Sequence, residues 1–210
     1  MSNKNNKKGN RKRKDKSVKI FIYMLLFLLG ILALIFSIKY FYKPVDKTHS
    51  YSYNNFVFTN ISGLWYTEIQ KYGTNKTYII PLHYGPLELE YIPVSDEVDN
   101  FKNLTEIYIT FRPDKEPLGY IALAAAELSI NLAQTLNITP IAACASNTTE
   151  ACAHRPIINC ESPGKAAIFL NYDNDTRVYV KNNCIFVEGF EKEIVKATDR
   201  LLLKWFNVMK

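Results

Sequence analysis

The sequence predicts an α+β protein: an N-terminal transmembrane helix, then an extracytosolic domain with a mixed β-sheet and two main amphipathic helices. Three observations predict it. A nineteen-residue uncharged stretch, Ile20 to Ile38, follows a dense basic segment. Four cysteines lie in the last third of the chain and none in the apolar stretch. Runs of aromatic and β-branched residues between turn signals alternate with two segments of helical periodicity, 119–136 and 191–210.

The apolar stretch sets the topology. At about 1.5 Å per residue it makes a helix of roughly 28 Å, close to the thickness of a bilayer's hydrocarbon core. Tyr23 lies near one end and Tyr40, Phe41 and Tyr42 at the other, where aromatic rings favour the interface. A cleaved signal peptide would have an apolar core of about 7–15 residues ending in small residues at −3 and −1. This core is longer and ends Phe36-Ser37-Ile38-Lys39. Residues 1–17 hold eight Lys or Arg against one Asp. In isolation the run Arg11 to Lys16 reads as a nuclear signal or polybasic arm. Directly before a membrane span, it holds the N-terminus on the cytoplasmic side. The expected divisions are a basic cytoplasmic tail at 1–17, a transmembrane helix meeting lipid at 18–42, a stalk at 43–54 and an extracytosolic domain at 55–210. The formal charge of +6 belongs to the tail, because residues 44–210 carry fifteen basic and nineteen acidic side chains. A nucleic-acid-binding domain would carry its own positive face, so no nucleic-acid partner is expected.

Two further features suit an outward-facing domain. Cys144, Cys152, Cys160 and Cys184 lack the C-x₂₋₄-C pairs of a zinc site and read as two disulfides with three possible pairings. Cys144–Cys152 and Cys160–Cys184 are preferred. The first closes a short polar loop, and the second ties the end of one expected strand to the start of another. Six N-x-[ST] sequons stand at Asn60, Asn75, Asn103, Asn137, Asn147 and Asn174. Fifteen Asn and twenty Ser or Thr in residues 44–210 would give about two by chance, so the excess points to glycosylation.

Within the domain, 55–94 reads as β-rich: FVFTN, LWYTEIQ and TYIIPLHY form an antiparallel unit, with Pro81 marking an edge strand or a bulge. PVSDEVDNFKN is a loop. From 104 onward a β-α-β unit is expected: LTEIYITF, a helix with Ile121, Ala125, Leu128, Leu132 and Leu136 on one face, then ITPIAAC. PIINC, KAAIFLNY, TRVYVKNN and CIFVEG are further strands. The final helix buries Ile194, Val195, Leu201, Leu202, Trp205 and Phe206, with Glu191 and Glu193 at its start and Lys204 near its end to suit the dipole.

No catalytic, cofactor or metal constellation emerges. Ser129 sits mid-helix outside any G-x-S-x-G pattern. Cys152 and His154 are near neighbours, but the cysteine is better used in a disulfide. His49, His83 and His154 are widely spaced, and Asp173-Asn174-Asp175 lacks the Gly and Glu of a calcium loop. Arg112 and Asp114, in the loop after the first strand of the β-α-β unit, stand where ligands favour open α/β sheets and are the ligand candidates. Glu127 reads as solvated or locally paired.

The run from ITPIAAC through ACAHRPIINC to VKATDRLLLKWF resembles small membrane-anchored proteins of archaeal envelopes and is similar to the α/β modules of S-layer proteins. The resemblance implies an envelope protein and no catalytic residues. The expected role is therefore a membrane-anchored surface domain with an outside protein or glycan partner, or a structural place in the envelope. The rival is an anchored ectoenzyme acting on envelope glycans or peptides. It would show a His–carboxylate or carboxylate pair gathered from separate elements, with Glu127, Asp199 and His154 as members.

Overall fold

The computed structural model describes residues 6–41, 49–71, 73–114 and 117–210, with side chains of the first helix described from Lys19 to Ser37. The chain divides into two compact units, residues 1–46 and 47–210.

The first unit holds helix α1 (Asn6–Phe41). From Lys19 to Ser37 its mean hydropathy is 2.8, and its described side chains are exposed all round. This span is long and apolar enough to cross a membrane. The helix starts well before the expected boundary at residue 18. Expected-stalk residues 43–48 and the first five residues of the tail lie outside the described residues.

The second unit is α+β with two sheets. Strands β1 (His49–Tyr53), β2 (Phe56–Ile61), β3 (Leu64–Gln70) and β4 (Thr77–Leu82) form an antiparallel meander in sequence order. β1 falls inside the expected stalk, which corrects that boundary. Its Ser-Tyr alternation supplies a period of two, with Tyr51 and Tyr53 half-buried against the core. Asn54 and Asn55, both at positive φ, make the tight β1–β2 turn. Pro81 sits on β4, an edge strand, where its missing N–H breaks no central ladder.

The expected loop 93–103 contains a 3₁₀ turn, Asp96–Phe101, capped by Ser95. The second sheet follows, with strands β5 (Glu106–Phe111), β6 (Thr139–Ala142), β7 (Ala167–Asn171), β8 (Arg177–Lys181) and β9 (Cys184–Glu188) in spatial order β6-β5-β7-β9-β8. Pairing is parallel except for β8, which runs antiparallel at the edge. Helix α2 (Gly119–Asn131), prolonged by a π turn (Leu132–Leu136), connects parallel neighbours β5 and β6. Helix α3 (Lys192–Trp205) follows β9.

PIINC is not a strand. It makes one isolated bridge, Ile157 to Cys144, beside the chain just past the end of edge strand β6. Lys204, expected to serve the helix dipole, is buried, and its ammonium donates to Asp96 at 2.7 Å.

One continuous core joins the layers. It takes Phe58, Ile69, Ile80 and Leu82 from the meander, Ile121 and Leu128 from α2, and Ile168, Leu170, Ile185 and Val187 from the second sheet. α3 is buried on nearly every side, including Thr198, Asp199 and Arg200, as for a helix enclosed by the core.

Candidate functional site

Three elements bring titratable groups together beneath one exposed ring. His83 is the first residue after β4, Glu127 lies on the buried face of α2, and Asp199 lies mid-way along α3. The chain leaves β4 as His83-Tyr84-Gly85. A Cβ at Gly85 would sit 2.2 Å from Tyr51 Oη and 3.3 Å from the Trp65 indole, so a glycine lets the turn close against β1 and β3. The turn is also held by Glu88, whose Oε2 accepts from Gly85 N and from Trp65 Nε1, each at 3.1 Å. This fixes Tyr84, whose backbone N–H donates to Asp199 Oδ2 at 2.8 Å.

His83 Nδ1 lies 3.0 Å from Glu127 Oε2, the ring about one-third exposed (34%) and the carboxyl only 5% exposed. Asp199 is fully buried. Glu127 Oε1 and Asp199 Oδ1 are both buried with no N–H or O–H to accept, yet the two side chains meet. Two carboxylates in contact inside a protein cannot both stay charged. A proton kept on Asp199 would let it donate towards Glu127 and so satisfy both orphaned oxygens. Burial, first, and then the charge and hydrogen bond of Glu127 push Asp199 well above the ordinary carboxyl range, against the pull of the Tyr84 and His83 backbone. The hydrogen bond to Glu127 raises His83, and partial burial opposes it. The result is a line from solvent inward: His83, Glu127, Asp199, Tyr84 N–H. With Nδ1 committed to Glu127, exchange with solvent falls to Nε2 of the ring.

Beside this line lies a polar cluster on α3. Lys196 donates to Glu193 at 2.9 Å, Tyr91 donates to the other oxygen of Glu193, and the ammonium lies 5.3 Å and 5.6 Å from the Tyr84 and Tyr91 ring centres. Tyr84 thus touches both groups.

The chemistry available is proton exchange at His83. A glycosidase needs its carboxyls about 5–9.5 Å apart, flanking a bond reached from solvent; these two are buried side chains with no open cleft between them. Among the described residues no group of three or more His, Cys, Asp or Glu could hold a metal ion.

The residues singled out from sequence distribute as follows. Glu127 is not solvated; it is buried and paired, because the α2 turn carrying it faces the core. It joins Asp199, but His154 is exposed in the cysteine-rich loop and does not join them; His83 takes that place. Arg112 and Asp114 pair with each other at 3.6 Å, both about half exposed. The cysteines form Cys144–Cys152 and Cys160–Cys184. Asn75, Asn103, Asn137, Asn147 and Asn174 are exposed, and Asn60 is half-buried. Two surface grooves lie elsewhere. One, of about 920 Å³, follows the outer meander face with Val57, Ile61 and Ile79 exposed on it. The other, of about 610 Å³, lies between the β3–β4 turn and the ends of α2 and α3.

Comparison with protein-family models, with curated proteins and with solved structures gives no match. The chain is thus defined by its own features: a disulfide-bonded α+β domain behind one helix apolar enough to cross a membrane.

Proposed function

We propose that this chain is a single-pass membrane protein with its N-terminus in the cytoplasm and residues 49–210 outside, where the domain binds a protein or glycan partner or supports the envelope. The observation that carries the reading is the combination of two disulfides in the domain with an apolar, exposed helix preceded by a strongly basic segment. Disulfides persist in oxidising compartments, and positive charge stays on the cytoplasmic side of a span. The exposed sequons and the envelope resemblance support the same placement. Protease added to intact cells should digest the domain and spare the tail; cleavage of the tail from outside would end the proposal.

One observation favours a second reading, an anchored ectoenzyme. The His83–Glu127 pair, drawn from separate elements, has the form of a general base oriented by a carboxylate. It suits activation of water towards a peptide or ester better than glycoside cleavage. A screen of full-length protein against peptide and ester substrates tests it. Turnover abolished by His83→Gln, with the melting temperature kept, would favour the enzyme; turnover indifferent to that change would leave the binding role.

A further inference from the structure

The outer face of the meander carries the groove of about 920 Å³. Side chains that open onto this face alternate along each strand with those that enter the core. Val57 and Ile61 on β2 and Ile79 on β4 are 58%, 42% and 64% exposed, so they form aliphatic surface left open to solvent. Glu68 on β3 stands among them and is also exposed. Its cross-strand partner on β4 is Ile79. On the β2 side stands Val57, two residues from Thr59, just as Glu68 is two from Tyr66, the partner of Thr59. Opposite charges facing each other across strands stabilise a sheet. Glu68 instead has an aliphatic neighbour on each side and, among the described residues, no cation or hydrogen-bond donor on its carboxylate. Among the described residues it is also the one charged side chain that lines the groove.

We infer that this groove binds a cationic segment of a partner protein, a lysine or arginine whose aliphatic stem lies over Val57 or Ile79 and whose charge meets Glu68. The inference rests on the partner-binding reading above and names the partner's chemistry. Neighbouring strands stand about 4.8 Å apart, so a basic side chain entering over either neighbour reaches the carboxylate while its methylenes cover apolar surface. Charge decides between occupants. A second copy of this chain seated through the same face would bury two Glu68 carboxylates against a surface that offers no cation, a desolvation without compensation. An acyl chain or an uncharged peptide would leave Glu68 unpaired in the same way. A basic segment covers the aliphatic surface and pairs the charge together. An extended segment presents alternate residues to one side, so the pattern that fits is aliphatic, basic, aliphatic at every second position. Residues 44–210 carry fifteen basic and nineteen acidic side chains, so the field of the domain favours the approach of such a segment.

The probe is a fluorescent heptapeptide, Gly-Val-Thr-Lys-Thr-Ile-Gly, whose Val, Lys and Ile share one face when extended. A counterpart with norleucine in place of the lysine keeps the stem and removes the charge. Binding to full-length protein in uncharged detergent is read by fluorescence anisotropy. The lysine peptide should bind about three- to fivefold more tightly than the norleucine peptide, the size of a partly exposed ion pair. Glu68→Gln should abolish that difference, with both peptides held at the weaker level and the melting temperature unmoved. Ile79→Ser should weaken both peptides, whereas added salt should weaken only the lysine peptide on the wild type. Equal binding of the two peptides, no binding of either, or a lysine preference that survives Glu68→Gln would overturn the cationic partner. Self-association of the full chain that Ile79→Ser breaks would overturn it in favour of a second copy. Each of these leaves the placement outside the membrane standing, since protease protection tests that separately. Tail cleavage from outside with the lysine preference intact would end the placement and keep the chemistry of the groove.

Discussion

Replacing Asp199 by Asn isolates the proton shared with Glu127. The amide keeps the shape, its oxygen can still accept from Tyr84 N–H, and its nitrogen can donate to Glu127 Oε1, so every hydrogen bond of the protonated pair survives without a titrating group. In the wild type the Asp199 carboxyl is raised above its ordinary 3.8 in the folded state. A folded state that holds a proton the unfolded state has released loses stability as pH rises. The loss begins near the ordinary value and ends at the raised one. The slope for one proton is at most about 1.4 kcal/mol per pH unit, so from the ordinary value up to the raised one the wild type falls relative to the variant by up to that amount per unit. For a chain of this size each such pH unit is a shift of roughly 3–6 °C in melting temperature. His83 also has a raised value, stabilises below its unfolded 6.5 and loses that contribution as pH rises through its folded value. It remains in both proteins and cancels to first order. Melting of full-length protein in mild detergent, read by the fluorescence of Trp65 and Trp205 from pH 5 to 8, gives both curves. Parallel curves would refute the shared proton, as would a variant weaker by about 3 kcal/mol at every pH, the cost of breaking a charged buried group.

Gly189→Ala should cost about 1–3 kcal/mol, because the new Cβ would lie 2.7 Å from the carbonyl carbon of Glu193 and 2.8 Å from Ile194 N, backbone atoms that cannot yield cheaply. Gly85→Ala should cost less, since its nearest obstacle is the hydroxyl end of Tyr51, and thermal melting of the two variants should rank them so. Removing Cys160–Cys184, which closes the loop of separation 24, should destabilise by about 3.5 kcal/mol on the chain-entropy argument, against about 2.5 for Cys144–Cys152 with separation 8. Double Cys→Ala variants leave no odd thiol, and a reversed order of melting temperatures would contradict the argument.

Much of the fold could be read along the chain because its signals are local. Period-two runs mark β2, β3 and β5, and the spacing of Ile194, Val195, Leu201 and Leu202 marks α3. β1 escaped because HSYSY has no aliphatic residue; its inward side chains are Tyr51 and Tyr53, which a polar stalk would carry as readily. PIINC has strand propensity but makes only a single bridge, since pairing is a property of the sheet and not of the segment. The site was legible only as polar interruptions, Glu127 and Asp199, in otherwise apolar helix faces. His83 stands 44 residues from Glu127, and Tyr84 stands 115 from Asp199, distances over which no periodicity carries information. A buried position on both helices with a carboxyl in each was the available signal, and burial on α3 exceeds what its stripe alone implies, because α2, β8, β9 and the 83–101 segment all pack against it.

The central claim is that the cysteine-bearing domain faces an oxidising compartment beyond the membrane. Protein taken from native membranes under an alkylating reagent and mapped without reduction tests this directly. The account predicts peptides joined as Cys144–Cys152 and Cys160–Cys184 and no alkylated cysteine. Four alkylated thiols would contradict it.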